Sequence, residues 1–187
     1  MMRPAIAGTN AGAAPSADRA RVVFFCEDER GFDFGNPSEA FYIVDRDQHL
    51  LGALQWGTWF SADLSPGQHE FFEWAPYEPK LFGSSVDGAM KAYLEAGRTY
   101  YVQLTARPHP FYQTAVIPRF VPVSEAGPVA AARLRPLVTD PTAANAWAAD
   151  HGGALRSHIA DGLRKVSGGE FSTLGGPEPA ARPGTDR

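Results

Sequence analysis

The sequence predicts a mainly β protein: an antiparallel β-sandwich of about seven strands with a C-terminal helical extension. Two matched units carry this prediction, residues 57–72 and 89–102. Each is an alternating run, a glycine-containing turn and a second run rich in aromatic residues, a pattern typical of β-hairpins. Across residues 20–123, turn signals also recur about every ten residues, which is the spacing of a sandwich.

Strand signals follow one another along the chain, some of them with a clear period of two. They cover residues 21–26, 39–45, 49–55, 56–64, 68–74, 88–95, 99–106 and 111–123. Pro66 and Gly67 occupy the central positions of a predicted type II turn, which requires a positive φ at Gly67. Pro118 and Pro122 cannot donate to a ladder, so the last run is expected to be an edge strand or partly irregular.

The alternating apolar positions of successive strands are the expected core. They are Val22, Phe24, Ile43, Leu54, Phe60, Leu64, Phe71, Leu94, Tyr101 and Leu104.

From residue 124 the pattern changes to helical spacing. A short helix is predicted at residues 129–134, ended by Pro136. A long helix is predicted at residues 141–166, with Asp140 as its N-cap and Pro141 in its first turn. Its apolar stripe, too apolar to leave in water, consists of Ala144, Trp147, His151, Leu155, Ile159, Leu163 and Val166.

Four regions follow from these patterns. Residues 1–19 are predicted to be a flexible arm, residues 20–123 the sandwich, residues 124–167 a helical extension packed on it, and residues 168–187 a disordered tail. The net charge of −4, with both signs interspersed, argues against a nucleic-acid surface, which needs a basic stripe. No 18-residue apolar run occurs, so no membrane span is expected.

The single cysteine, Cys26, lies in an apolar strand and permits no intrachain disulfide. A buried, inert thiol is the expected reading. The N-terminal residues lack both the apolar core of a signal peptide and a lipid-attachment cysteine, so the chain is expected to be cytoplasmic.

Several segments resemble the bacterial domain of unknown function 2846. The resemblance rests on Leu50-Leu-Gly-Ala-Leu, Gly57-Thr-Trp-Phe, Leu64-Ser-Pro-Gly-Gln-His and Leu94-Glu-Ala-Gly-Arg-Thr-Tyr-Tyr-Val, and covers about residues 20–125. It implies a transthyretin-like β-sandwich and no established activity. Many members of that family look like envelope lipoproteins, and the absence of a lipid-attachment cysteine departs from that pattern.

His69 and Glu73 are the most specific candidates for a functional site. They share one face of a strand, where a His and a carboxylate can act as acid and base or as two metal ligands, with His49 as a third group. The alternative is that His69 bonds to the backbone and fixes the turn. His151 and His158 lie near one helical face, where they either share a pocket or flank a packing stripe.

Aromatic residues supply the other candidates. Trp59 and Tyr77 are possible ligand platforms within a group that also holds Trp56, Trp74 and Phe82. Trp56 and Trp59 lie on opposite faces of a regular strand, so at most one is free for a ligand.

The leading hypothesis is a non-enzymatic binding or assembly module for a protein partner or small ligand. Its predicted contact surfaces are the edge at residues 111–120 and the loop at residues 75–88, and an edge strand or the C-terminal helix could mediate self-association. No catalytic residue, cofactor or metal is predicted. The alternatives are a metal-dependent or hydrolase-like protein centred on His69 and Glu73, and a carbohydrate-binding module.

Overall fold

Two β-sheets packed face to face, with a helix on the outer surface of each, form the architecture of this chain. The computed structural model describes residues 2–4, 14–27, 40–74, 88–109, 112–123, 127–167 and 173–174. The strands are β1 (Met2–Pro4), β2 (Ala20–Cys26), β3 (Phe41–Asp45), β4 (Leu50–Leu54), β5 (Thr58–Leu64), β6 (Gly67–Trp74), β7 (Ala89–Leu94), β8 (Thr99–His109), β9 (Tyr112–Val123), β10 (Arg135–Thr139) and β11 (Thr173–Leu174). The helices are α1 (Gly127–Ala132) and α2 (Pro141–Ser167).

The first sheet has six strands in the order β1-β10-β5-β2-β8-β9, and the second has five in the order β11-β7-β6-β3-β4. The mainly β fold predicted from the sequence is therefore confirmed. Most neighbouring pairs are antiparallel, but β2 with β8, β10 with β5 and β11 with β7 run parallel. The strands are more numerous than predicted because three short ones were not predicted: β1 and β11 at sheet edges, and β10 between β1 and β5.

The main core lies between the sheets. Phe24 and Phe60 of the first sheet stack at 5.2 Å between ring centres, and Phe24 meets the edge of Phe71 from the second sheet at 5.3 Å. Every predicted core residue contributes to this layer except Tyr101, which packs beside α1 on the outer face of the first sheet. Leu64 is only partly buried.

The two units predicted as hairpins are not hairpins. β5 belongs to the first sheet and β6 to the second, and β7 and β8 are divided in the same way. In each unit the glycine-containing turn carries the chain across the sandwich instead of folding it back onto its neighbour. The consecutive strands that do pair with each other are β3 with β4, β6 with β7 and β8 with β9, all antiparallel.

Gly67, the first residue of β6, has the positive φ that the sequence predicts. Its φ is 124°, in the region that strongly favours glycine, whereas a type II turn has a φ of about 80° at this position. The positive φ is therefore confirmed, the type II turn stays a prediction, and the predicted hairpin is wrong.

The C-terminal segment contains an element that the sequence did not reveal. The short helix is α1, two residues earlier than predicted, and β10 follows it in parallel register with β5. Pro136 was read only as a helix stop, yet it pairs opposite Trp59. Proline is tolerated there because the donor to the β5 side is Arg135, whose N–H bonds to the carbonyl of Gly57 at 3.0 Å, so no ladder hydrogen bond to β5 needs an N–H at position 136.

Helix α2 begins as predicted. The Asp140 carboxylate accepts hydrogen bonds from the backbone N–H groups of Thr142 and Ala143, at 2.9 and 3.1 Å, which is N-cap geometry. The helix packs on the outer face of the second sheet, where Leu155 and Ile159 are buried with Val44, Phe72 and Ala89, and Trp147 and Leu163 are partly buried against them.

The terminal regions also contribute strands. Met2–Pro4, within the predicted flexible arm, pairs with β10, and Thr173–Leu174, within the predicted disordered tail, pairs with β7. Edge pairing orders terminal segments that composition alone marks as loose. Neither helix in the described part of the chain combines the length and hydropathy needed to cross a bilayer.

Candidate functional site

His69 lies at the start of β6 and serves the adjacent turn. Its Nε2–H donates to the backbone carbonyl of Ser65 at 2.8 Å, and its ring lies parallel to that of Phe71 with 6.0 Å between centres. These contacts match the alternative in which His69 fixes the turn.

Glu73 shares the inward face of β6 with His69 but lies four residues further along. In an extended strand this separation is roughly 13 Å, whereas in a helix it would bring side chains into contact. The two side chains therefore cannot hold one metal ion or one proton together. The hypothesis of a site centred on this pair loses its geometric basis.

The histidine that reaches Glu73 comes from α2. His158 is 7% exposed and its Nε2–H donates to the backbone carbonyl of Glu73 at 2.5 Å. Glu73 is itself 2% exposed. Its N–H donates to the carbonyl of Gly88 at 2.6 Å, and a methyl group on Gly88 would lie 2.7 Å from the Glu73 Cβ. This polar contact fastens α2 to the end of β6.

His49 lies in the turn between β3 and β4, apart from Glu73. Its Nδ1 is 2.9 Å from the Asp45 carboxylate. The hydrogen bond to Asp45 raises the pKa of the His49 imidazole above its usual value of 6.5. The pair is solvent-facing, and it stabilises the turn.

The predicted aromatic platforms have different positions. Trp59 is 3% exposed and packs on the outer face of the first sheet beside α1, whereas Trp56 packs on the core between the sheets. The two tryptophans therefore lie on opposite faces, as predicted, but Trp59 has too little exposure to offer a face to a ligand. Tyr77 lies outside the described residues, as do Phe82 and most of the loop proposed as a contact surface.

The surface that the structure does assemble is a stack of four rings where α2 meets the second sheet. We call it the ring stack, and it consists of Tyr42, Trp74, Trp147 and His151. Tyr42 and Trp74 are directly opposite on β3 and β6, and Trp147 and His151 are one helical turn apart on α2. All four are partly exposed.

Trp147 is the centre of the ring stack. Tyr42 and His151 both lie nearly parallel to it, each with its ring centre 4.6 Å away. Trp74 meets Trp147 and His151 edge-on, each at 5.1 Å. Offset and edge-on contacts of this kind stabilise aromatic clusters beyond the apolar area that they bury.

The tautomer of His151 follows from its hydrogen bond. Its Nδ1 is 2.8 Å from the carbonyl oxygen of Trp147, and a carbonyl can only accept. The proton of the neutral ring is therefore on Nδ1, which leaves the lone pair of Nε2 as an acceptor.

Two polar side chains, Arg156 and Gln48, lie near Gly152, the residue that follows His151, and we call them the polar border. A methyl group on Gly152 would lie 3.6 Å from a guanidinium nitrogen of Arg156 and 3.9 Å from the carboxamide oxygen of Gln48. Gln48 has a φ of 69°, a conformation that costs a non-glycine residue free energy. Binding sites use a few polar groups such as an amide and a guanidinium to orient a ligand, and these two lie near the residue that follows His151.

The sequence contained part of this signal. Trp147 and His151 stand at i and i+4 in the predicted helix, and Tyr42 alternates with core residues on its strand. These residues converge only because α2 packs against the sheet that contains β3, and β3 precedes α2 by about a hundred residues. Gln48 was missed because its strain is a backbone property.

Among the described residues, no three His, Cys, Asp or Glu side chains converge as a metal site would require. No family model, no curated protein and no solved structure matches this chain. The resemblance to domain of unknown function 2846 therefore stays a prediction.

Proposed function

We propose that this chain is a non-enzymatic β-sandwich module that binds a partner molecule at the ring stack and its polar border. The observation that carries this proposal is the set of four partly exposed rings, with Gln48 and Arg156 near Gly152, the residue after His151. Buried aromatic rings need no further explanation than packing, but partly exposed Tyr and Trp side chains are typical anchors of binding surfaces.

The strain at Gln48 supports the same proposal. A left-handed backbone conformation at a non-glycine residue costs about 1–2 kcal/mol, and glycine would remove that cost. A glutamine at this position is explained if its carboxamide binds a ligand, because strained backbone conformations are enriched at functional sites.

A saccharide is the second candidate ligand within this proposal. Ring faces for stacking, next to an amide and a guanidinium for hydroxyl groups, suit a sugar ring, which is apolar on its faces and polar at its rim. A protein partner would use the same rings as an apolar anchor and Arg156 at the border.

Arrays of glycans and peptides probed with the labelled chain test the proposal. We expect ligands that bind the wild-type chain and are lost in Gln48→Ala. The matched control is Gln68→Ala, an exposed glutamine on β6 of the same sheet, which should bind as the wild type does. An array without bound ligands, or equal binding by all three proteins, would contradict the proposal.

A further inference from the structure

The outer edges of β9 in the first sheet and β7 in the second sheet differ in their protection against strand addition. The Arg21 N–H donates to the Arg98 carbonyl, so the backbone N–H and C=O groups of the even-numbered residues of β8 point toward β2. Ala106 is one of these residues and pairs with Pro118. The backbone positions of Pro118 and Pro122 are therefore on the side of β9 that points away from β8. Both prolines thus remove donors from the outer edge of β9, a device that discourages strand addition.

The outer edge of β7 carries no such protection. Because the Gly88 carbonyl accepts a hydrogen bond from the Glu73 N–H, the backbone N–H and C=O groups of the even-numbered residues of β7 point toward β6. The backbone groups of Ala89, Lys91 and Tyr93 are therefore directed outward. No proline occurs within Ala89–Leu94.

Part of this edge already holds an extended segment. Thr173 pairs with Lys91 and Leu174 with Ala92, in parallel orientation. Among the residues that the structure describes, the tail strand thus pairs with two positions of a six-residue strand. Beside it, Tyr93 is 48% exposed, one of the two most exposed large apolar side chains among the described residues.

We propose that the outer edge of β7 is a strand-acceptor site for an extended, proline-free segment of another polypeptide. The segment runs parallel to β7, as the tail strand does, and places a β-branched or aromatic residue beside Tyr93. It replaces Thr173–Leu174 and continues the ladder to Ala89. Main-chain hydrogen bonds supply the affinity in this mode of recognition, and alternate side chains supply the specificity.

This inference depends on strand edges and not on the ring stack. A six-residue partner pairs along more of β7 than the two-residue tail, so it can displace the tail. When no partner is bound, the tail strand pairs with the outer edge of β7 and protects it against aggregation. The tail strand is accordingly a competitor of the partner.

The test uses the full-length chain and a fluorescein-labelled peptide of sequence STVTVYTS. Leu174→Pro removes the N–H by which the tail strand pairs with Lys91, and it should lower the dissociation constant of the peptide about tenfold relative to the wild type. Lys91→Pro, added to Leu174→Pro, removes the central outward donor of β7 and should abolish binding. Hydrogen exchange at Lys91 should be slow in the wild type, fast in Leu174→Pro and slow again with peptide.

Equal affinities for wild type and Leu174→Pro, or undiminished binding by the double variant, would overturn the proposal. So would the absence of peptide binding to every protein. Sedimentation of Leu174→Pro without peptide gives a further check. A stable dimer would show that a second copy, not a foreign segment, occupies the edge. Melting curves identify a variant that has lost its fold. If the double variant is unfolded, hydrogen exchange at Lys91 in Leu174→Pro tests the proposal instead: exchange that stays fast when peptide is added would overturn it.

Discussion

Replacing Gln48 by glycine should make the protein more stable. Gln48 has a φ of 69°, and relief of a left-handed conformation is worth about 1–2 kcal/mol. Glycine loses more conformational freedom on folding, which costs about 0.5–1 kcal/mol. The free energy of unfolding should therefore rise by about 0.5–1 kcal/mol, which corresponds to a melting temperature higher by about 1–4 °C.

Urea denaturation of the wild type, Gln48→Gly and Gln48→Ala measures this effect. Alanine removes the carboxamide but keeps the strain, so it should be no more stable than the wild type. If the glycine variant is less stable than the wild type, the strain is not what limits stability at this turn, and the argument for a functional carboxamide is lost. Stability gained together with ligand binding lost would match a residue kept for function.

Three further changes test the packing and the electrostatics. Gly88→Ala should cost about 1–3 kcal/mol, since its methyl group would lie 2.7 Å from the Glu73 Cβ; unchanged urea midpoints would show that β7 shifts freely. Phe60→Ala should cost about 3–5 kcal/mol because the ring is 1% exposed, and a melting temperature that hardly moves would contradict its place in the core. The raised pKa of His49 beside Asp45 adds stability that is fully present below pH 6.5 and is lost as the pH rises through the raised pKa. His49→Gln should therefore flatten the stability profile in that window, and parallel profiles for the two proteins would refute the pairing.

Strands β2 to β9 were predictable from the sequence, but their partners were not, and β1, β10 and β11 were not predicted. β5 and β6 alternate clearly, and Gly67 takes the positive φ that the Pro-Gly turn predicts. The same tight turn serves a hairpin or a crossing between sheets, because the choice depends on where the other strands lie. The signal in residues 57–72 was therefore local, and the pairing of β5 with β2 is a long-range property.

The candidate site shows the same division. His69 and Glu73 were placed correctly on one strand face, but strand geometry separates them along that face. The histidine that contacts Glu73 is His158, 85 residues further on. The stripe of α2 predicted Trp147 and Leu155 as packing residues, whereas the sheet surface that receives them follows only from the folded chain.

The most direct test of the ring stack as a binding surface uses the four tryptophans of the chain as reporters. Their indole N–H signals in an NMR spectrum are followed while soluble oligosaccharides and array-selected peptides are added. Binding at the ring stack predicts that the signals of Trp74 and Trp147 shift, whereas those of Trp56 and Trp59 stay in place. Shifts confined to Trp56 or Trp59, or no shifts at millimolar ligand, would contradict the account.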